Sequence, residues 1–232
     1  MSKKLQVIET SRELIKNEHF KNRNRKSEKL FTRLRSLPFD LVLIMILRKS
    51  AKSLQCIVNE AMSGLGLAET SASAYSQARY KLKHSAFIEL NQKAIVNIVY
   101  QDDDFATFWG KRILAIDGSK IRLPNTPEIV QTFSTMAYSQ GEGSDVQGEH
   151  PFALGSILYD VLNRVALDAT LDKANAYEVD LAIAHLAHTQ CHDLILMDRN
   201  YPSYRMLASL QHYERNFATS APCGYSLLCG LI

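Results

Sequence analysis

The chain has 232 residues, of which 46% are hydrophobic and 22% charged, and its formal net charge is +3. A chain of this size and composition buries a sizeable core, which excludes a disordered, collagen-like or disulfide-scaffold protein. The longest apolar run, Leu41 to Leu47, is too short for a hydrocarbon core that needs about 20 residues, and no apolar run follows Met1-Ser2-Lys3-Lys4, so neither a membrane span nor a signal peptide is expected.

The charge is divided along the chain. Residues 1–100 hold 18 Lys+Arg against 8 Asp+Glu, a net +10, and residues 101–232 hold 9 against 16, a net −7. Opposite signs predict two modules with different partners. The basic half suits a polyanion such as DNA, with a solvated basic surface as the alternative. The acidic half offers carboxylates for divalent cations.

In chain order, the first hundred residues read as helices. Leu14, Phe20, Leu30, Leu34 and Leu37 space out as helical faces with basic residues between them. Pro38 stands where a helix can begin, and Phe39 to Lys49 is apolar nearly all round, as a buried helix would be. Leu54, Ile57, Val58 and Ala61 repeat at helical spacing, and Gly64 and Gly66 end that segment. Thr70 to Ser73 offers capping oxygens for a helix carrying Tyr75, Ala78, Arg79 and Leu82, with Arg79, Lys81 and Lys83 as its basic residues. His84 and Ser85 break it, and Phe87 to Tyr100 forms a further striped helix. Helix, glycine turn and capped basic helix outline a helix-turn-helix, and a plain helical bundle would give the same pattern. Asp102-Asp103-Asp104 reads as a solvated linker.

From residue 111 the period changes to that of strands. Lys111 to Gly118 is a short buried strand ending in a carboxylate and a glycine, and Ser119 to Leu123 continues it. Pro124-Asn125-Thr126-Pro127 stops it, and residues 138–150 read as a loop. Phe152 to Val161 and Val165 to Leu171 are strands joined by a turn at Asn163-Arg164. Glu178 to Thr189 is an amphipathic helix with Val179, Ile183, Leu186 and Ala187 on one face. Asp193 to Met197 is a fourth strand, and Ser203 to Tyr213 a helix. The order β-β-β-α-β-α is an α/β layout in which the first and fourth strands can lie side by side.

Asp117 and Asp198 each follow an apolar strand of the same type. In neighbouring strands they would bring two hard oxygen ligands together, as magnesium or manganese prefers, and two such metals serve phosphodiester chemistry. The alternative is that each is a strand-end turn former. Other candidates are weaker. His185, His188 and His192 can share a helix face but form no HExxH, and Cys191 beside His192 does not face it. Cys56, Cys191, Cys223 and Cys229 form no CxxC pair and read as scattered reduced thiols. No phosphate-binding glycine loop or GxSxG is present.

Four stretches taken together resemble the DDE transposases of bacterial insertion sequences, most closely the IS-four branch: Thr70 to Leu82 (TSASAYSQARYKL), Ile113 to Leu123 (ILAIDGSKIRL), Leu158 to Asn163 (LYDVLN) and Leu194 to Tyr204 (LILMDRNYPSY). The resemblance covers roughly residues 35 to 215. It implies a helical, helix-turn-helix-like DNA-binding region over 1–105 and an incomplete ribonuclease-H-like α/β core over 106–216, followed by a tail over 217–232. It implies that Asp117 and Asp198 are the first two catalytic carboxylates and hold two Mg²⁺ or Mn²⁺ ions for strand cleavage and transfer. It further implies DNA contacts by Arg79, Lys81, Lys83 and Arg199, the element's terminal inverted repeats and target DNA as partners, a homodimer on paired ends, and a cytoplasmic, nucleoid-associated location. Two departures stand out. Asn200 replaces the glycine that follows Asp-Arg in the family, which a left-handed backbone would tolerate. The family's third carboxylate, a Glu in a later Tyr…Arg…Glu…Lys signature, has no counterpart, since Glu214 is the only acid after Asp198. Phe217 to Ile232 carries no charge, and a frameshift or early stop is expected there. The competing functions are thus a transposase active only with its missing C-terminal part, so that this chain alone is expected to be inactive for want of the third carboxylate, a DNA-binding remnant that competes with an intact relative without cutting, and an unrelated metal-dependent hydrolase.

Overall fold

The structure, a computed structural model, describes residues 2–32, 37–48, 50–139, 147–220 and 227–230. The chain divides into two units, Met1–Gln101 and Asp102–Ile232, and the exposed Asp102, Asp103 and Asp104 open the second.

The first unit is helical. α1 (Lys3–Lys16) and α2 (Glu18–Asn24) are separated by Asn17, whose side chain caps α2 by accepting from the Phe20 N–H. α3 (Phe39–Leu47) buries Phe39, Leu41, Val42, Leu43 and Met45 but leaves Ile44 and Leu47 exposed, so its apolar surface is not covered all round. α4 (Leu54–Gly64) ends as its glycines predict. Gly66 takes φ +64°, its N–H donates to the Ser63 carbonyl, and the Leu67 N–H reaches back to the Met62 carbonyl. That pair of bonds is a Schellman motif, and it satisfies two carbonyls that the helix end would orphan. α5 (Ala72–Tyr80) is capped by Ser71 Oγ on the Ala74 N–H at 3.1 Å. α6 (Ser85–Leu90) runs through a π-helical stretch, Asn91–Val96, into α7 (Asn97–Val99).

Two apolar clusters hold these helices. Val42, Met45, Val58, Met62, Tyr75 and Ala78 tie α3, α4 and α5 together, and Ile15, Phe20, Phe39, Leu43, Leu90 and Ala94 join α1, α2, α3 and α6 with its π-helical extension. The helix expected through Leu30 does not form, and Leu34 lies outside the described residues. After α2 the chain bends and turns over residues 26–31 instead, and it is tied to residues 81–83: Arg25 bridges Leu82, the Lys26 N–H donates to the Lys81 carbonyl and the Lys83 N–H to the Asn24 carbonyl.

The second unit is a sheet with helices. β1 (Ile113–Arg122) pairs antiparallel with β3 (Gln147–Asp160) on one side and parallel with β5 (Leu194–Met197) on the other. β4 (Val165–Lys173) extends the meander beyond β3, and β6 (Asn216–Ser220) lies parallel to β5. β7 (Leu227–Gly230) closes the edge antiparallel to β6. The resulting order, β4-β3-β1-β5-β6, is a three-stranded antiparallel meander followed by parallel strands. Together with its helices this is a ribonuclease-H-like α/β fold, preceded by the helical unit.

Residues 138–150 depart from the expected loop. β2 (Thr135–Ser139) pairs with the first part of β3, whose Gln147–Pro151 is extended, while residues 140–146 lie outside the described residues. A short helix not anticipated from sequence, α8 (Pro127–Phe133), starts at the stop signal itself, with Pro127 in its first turn and Thr126 as cap. β6 and β7 were likewise not expected, because an uncharged run without alternation gives no strand period.

α9 (Glu178–His185) tightens into a 3₁₀ turn at Leu186–His188. The tightening rotates the end of the helix. Its buried face is therefore Val179, Ala182, His185 and Leu186, and Ala187 points outward. α10 (Tyr204–His212) buries Met206 and Leu210 and is capped by Ser203.

Candidate functional site

Asp117 belongs to β1, and β1 continues unbroken through Gly118 to Arg122. An Asp-Gly pair inside a ten-residue strand is not a turn, so the turn-former alternative is removed for Asp117. Asp198 follows the last residue of β5 and does open a turn, in which its carbonyl accepts the Tyr201 N–H. Parallel pairing sets Ile116 opposite Met197. The next residues are Asp117 and Asp198, so the two carboxylates leave neighbouring strands at the same level, on the exposed rim of the sheet. The structure therefore brings together the two residues singled out from sequence.

The local bonds shape this pair. Asp198 Oδ1 accepts the Arg199 N–H at 2.6 Å and its Oδ2 accepts Asn200 Nδ2 at 3.2 Å. Asn200 does not take the left-handed backbone expected where the family has glycine, since it is absent from the positive-φ residues. Its side chain serves the carboxylate instead. Arg199 is exposed beside the site.

A third carboxylate stands at this rim. Glu178 is the first residue of α9, and its side chain lies over Gly118 so closely that a Cβ there would overlap the carboxylate. Glu178 Oε1 accepts the hydroxyl of Tyr201 at 2.5 Å. Tyr201 is almost wholly buried. Burial pushes its phenol well above the ordinary range, and the Glu178 hydrogen bond and charge, then the charges of Asp117 and Asp198, push in the same direction. One neutral phenol thus lies within electrostatic reach of three carboxylates. Sequence reasoning missed Glu178. Its only signal is an acidic residue in the first turn of a helix, which the helix dipole alone explains.

Hard oxygen donors at the same level on adjacent strands suit magnesium or manganese. Asp117 and Asp198 are carboxylates, the donor type that such an ion takes. Among the described residues no group of three or more His, Cys, Asp or Glu side chains is arranged around one metal position.

The histidines are elsewhere. His185 is fully buried, with Nδ1 2.8 Å from Asp168 Oδ2 and Nε2 3.1 Å from Ser156 Oγ. This is the connectivity of a hydrolase triad, but Ser156 is 3% exposed on a central strand and no substrate reaches it. The network ties β3, β4 and α9 together. His188 lies 3.6 Å from the same carboxylate, and His192 is exposed. Cys56 and Cys191 are exposed free thiols, and the side chains of Cys223 and Cys229 lie outside the described residues.

The basic residues singled out from sequence spread over the end of α5 and the segment after it. Arg79 is exposed on α5. Lys81 is the C-cap and Lys83 falls beyond the helix, its Nζ donating to the Arg23 carbonyl at 3.0 Å, so only Arg79 of the three is a basic residue of α5 itself. Sequence reasoning missed Lys26, whose Nζ stands 4.1 Å from the centre of the Tyr80 ring. Tyr80 is 78% exposed. Gln55 of α4 clamps the start of α5, with Nε2 on the Thr70 carbonyl and Oε1 accepting the Ala72 N–H at 2.7 Å. An exposed helix held by a partner helix at its N-terminus, with Arg79, Lys26, Lys83 and Tyr80 around its C-terminal end, is a candidate nucleic-acid surface.

Residues 108–222 match the family model of the transposase DDE domain, which supports a DDE transposase. No curated protein matches the chain. The matched span contains β1, β3, β4, α9, β5, α10 and β6, and with them Asp117, Glu178 and Asp198. No helix among the described residues is long and apolar enough to cross a membrane.

Proposed function

We propose that this chain, whose residues 108–222 match the transposase DDE domain, acts in DNA transposition of the insertion-sequence type, IS-four branch. In this reading the helical unit, residues 1–105, binds the element's terminal inverted repeats, and the ribonuclease-H-like core, from residue 106, cleaves and rejoins strands. The observation that carries it is the shared level of Asp117 and Asp198 on neighbouring parallel strands inside the matched span.

Asp117 and Asp198 would hold Mg²⁺ or Mn²⁺. When bound, the metals make an attacking oxygen more nucleophilic and stabilise the leaving one. The chain's own residues do the rest. The sheet fixes the directions in which the two carboxylates leave β1 and β5, and the Asp198 turn holds its carboxylate through the Arg199 and Asn200 bonds. The exposed Arg199 guanidinium supplies positive charge for a phosphate beside two negative carboxylates. Arg79, Lys81 and Lys83, with Lys26, supply phosphate contacts from the helical unit. Each partner is double-stranded DNA, and two copies on paired ends would place one core at each end. The work is done in the cytoplasm, at the nucleoid.

The test is strand nicking. Full-length protein is incubated with Mn²⁺ or Mg²⁺ and DNA carrying the element's ends. Specific nicking at the 3′ end of the element, absent in Asp117→Ala, supports the reading. End binding without nicking would support a DNA-binding remnant instead, and neither activity would overturn both.

A further inference from the structure

We propose that the groove at the C-terminal end of α5 takes an unpaired stretch of a DNA strand, with a base stacked on Tyr80 and the phosphates on the cations around it. The inference rests on the reading that the surface around α5 binds DNA, and it names the part of the DNA that this surface takes.

Three observations point to it. The groove has a volume of about 440 Å³, and it combines the buried or half-buried Ile46, Leu82 and Phe87 with the exposed Lys26, Arg79 and Lys83. It therefore has an apolar floor and a basic rim, and the described residues that line it include no carboxylate. Tyr80, the last residue of α5, stands at its edge with most of the ring exposed, and the Lys26 ammonium lies over that ring. Finally, the cations are held in place from outside α5. The Lys26 N–H donates to the Lys81 carbonyl, and the Lys83 ammonium donates to the Arg23 carbonyl. The ring is thus oriented by a fixed cation and open to a planar partner.

Phosphate binding alone explains this arrangement poorly. A phosphate gains nothing from an apolar floor or an exposed ring, whereas a base has two apolar faces and a polar edge. Proteins that hold single strands combine a basic groove with aromatic side chains on which bases stack. A helix-turn-helix reads duplex DNA with the N-terminal residues of its second helix. Here that end is uncharged, since α5 has no basic residue before Arg79, and Gln55 occupies its backbone at Thr70 and Ala72. The helix dipole favours cations at the C-terminus and accounts for Arg79 and Lys81. It accounts neither for Lys26, which comes from the segment after α2, nor for Tyr80. The charge is complementary as well, because residues 1–100 hold 18 basic against 8 acidic residues, a net +10 that suits a polyanion.

The test compares three labelled probes in fluorescence anisotropy titrations of the full chain: a blunt duplex, the same duplex with a short thymidine overhang, and that overhang with abasic sugars in place of its thymidines. The two overhangs carry the same phosphates, so the ratio of their affinities reads the bases alone. The wild type should prefer the thymidine overhang. Tyr80→Ala should lower that preference by about 5-fold or more, as loss of one stacked base does. Tyr80→Phe keeps the ring and should keep the preference. Arg79→Ala should weaken all three probes, because it removes a phosphate contact. Melting temperatures of the variants confirm that each is folded, as the exposure of both side chains leads one to expect. If the wild type shows no preference, or Tyr80→Ala keeps it, the inference is overturned, and the reading beneath it stands as long as Arg79→Ala weakens the duplex. If Arg79→Ala and Lys26→Ala bind the duplex like the wild type, the reading itself falls.

Discussion

Arg112 and Asp193 form a buried bidentate ion pair at the start of β1 and β5, with both guanidinium–carboxylate contacts at 2.7 Å. Each residue is followed five positions later by a site carboxylate, Asp117 on one strand and Asp198 after the other. The ion pair and the two site carboxylates therefore sit at opposite ends of one strand pair. A parallel pair has no hairpin to set its register. A bidentate fork with fixed geometry at one end does so, and every residue up to the rim follows.

Breaking that pair should cost more than replacing it. Arg112→Met leaves the Asp193 carboxylate buried, with the Gln190 N–H as one remaining donor. The loss should be about 3–5 kcal/mol, and the double variant Arg112→Met/Asp193→Leu should recover much of it. Urea unfolding of the four proteins measures this. A single variant as stable as the wild type would remove the register role.

Asp117→Asn and Asp198→Asn should each abolish the Mn²⁺-induced rise in melting temperature while leaving the metal-free protein as stable or slightly more so. The reason is that both side chains are exposed and an amide keeps the shape of a carboxylate while removing its charge. Calorimetric scans with and without Mn²⁺ give the answer, and a retained metal shift in both variants would count against the pair.

DNA binding should depend on salt through the basic surface around α5. Replacing Arg79 or Lys26 by Ala should lower the slope of log affinity against log salt by about 0.9 each for duplex DNA. Binding titrations of the full chain at several salt concentrations test this. An unchanged slope would place the DNA elsewhere.

Glu89 should govern part of the acid sensitivity. Burial pushes its carboxyl up, but hydrogen bonds from Arg23, Lys93 and Asn24, with the Arg23 charge, outweigh it and hold it at about 2. Asn24 Nδ2 and Lys93 Nζ stand 2.7 and 2.8 Å from its oxygens. A depressed folded value means that the stabilisation is present above the unfolded value of about 4.3 and is lost as pH falls towards 2. Glu89→Gln should therefore be less stable than the wild type at pH 7, and the gap should narrow between pH 4 and pH 2. Parallel stability curves over that range would show Glu89 to be uninvolved.

The reading of single elements from sequence succeeded where a local period existed. Ile113 to Ile116 and Leu194 to Met197 are buried apolar runs that announce strands, and the glycines at 64 and 66 announce the end of α4. It failed where a partner overrode the period. Leu30 sits at a helical spacing, yet the segment after α2 bends and turns where bonds to residues 81–83 hold its start. Ala187 matches the apolar face of α9, yet the 3₁₀ turn moves it outward. Asn216 to Thr219 has no alternation, yet it pairs in register with β5.

Sequence by itself determined the two-part layout and the α/β order, and it pointed to Asp117 and Asp198, because charge balance, apolar period and a carboxylate at a strand end are all local properties. Only the tertiary structure decided that Asp117 stands inside a continuous strand, that Ile116 faces Met197 across a parallel pair, and that Glu178 of a separate helix lies over Gly118 under the hydroxyl of Tyr201. Those three facts are distances between residues far apart in the chain. They follow from strand register and from how α9 docks on the sheet, and neither leaves a mark in the residues immediately around them.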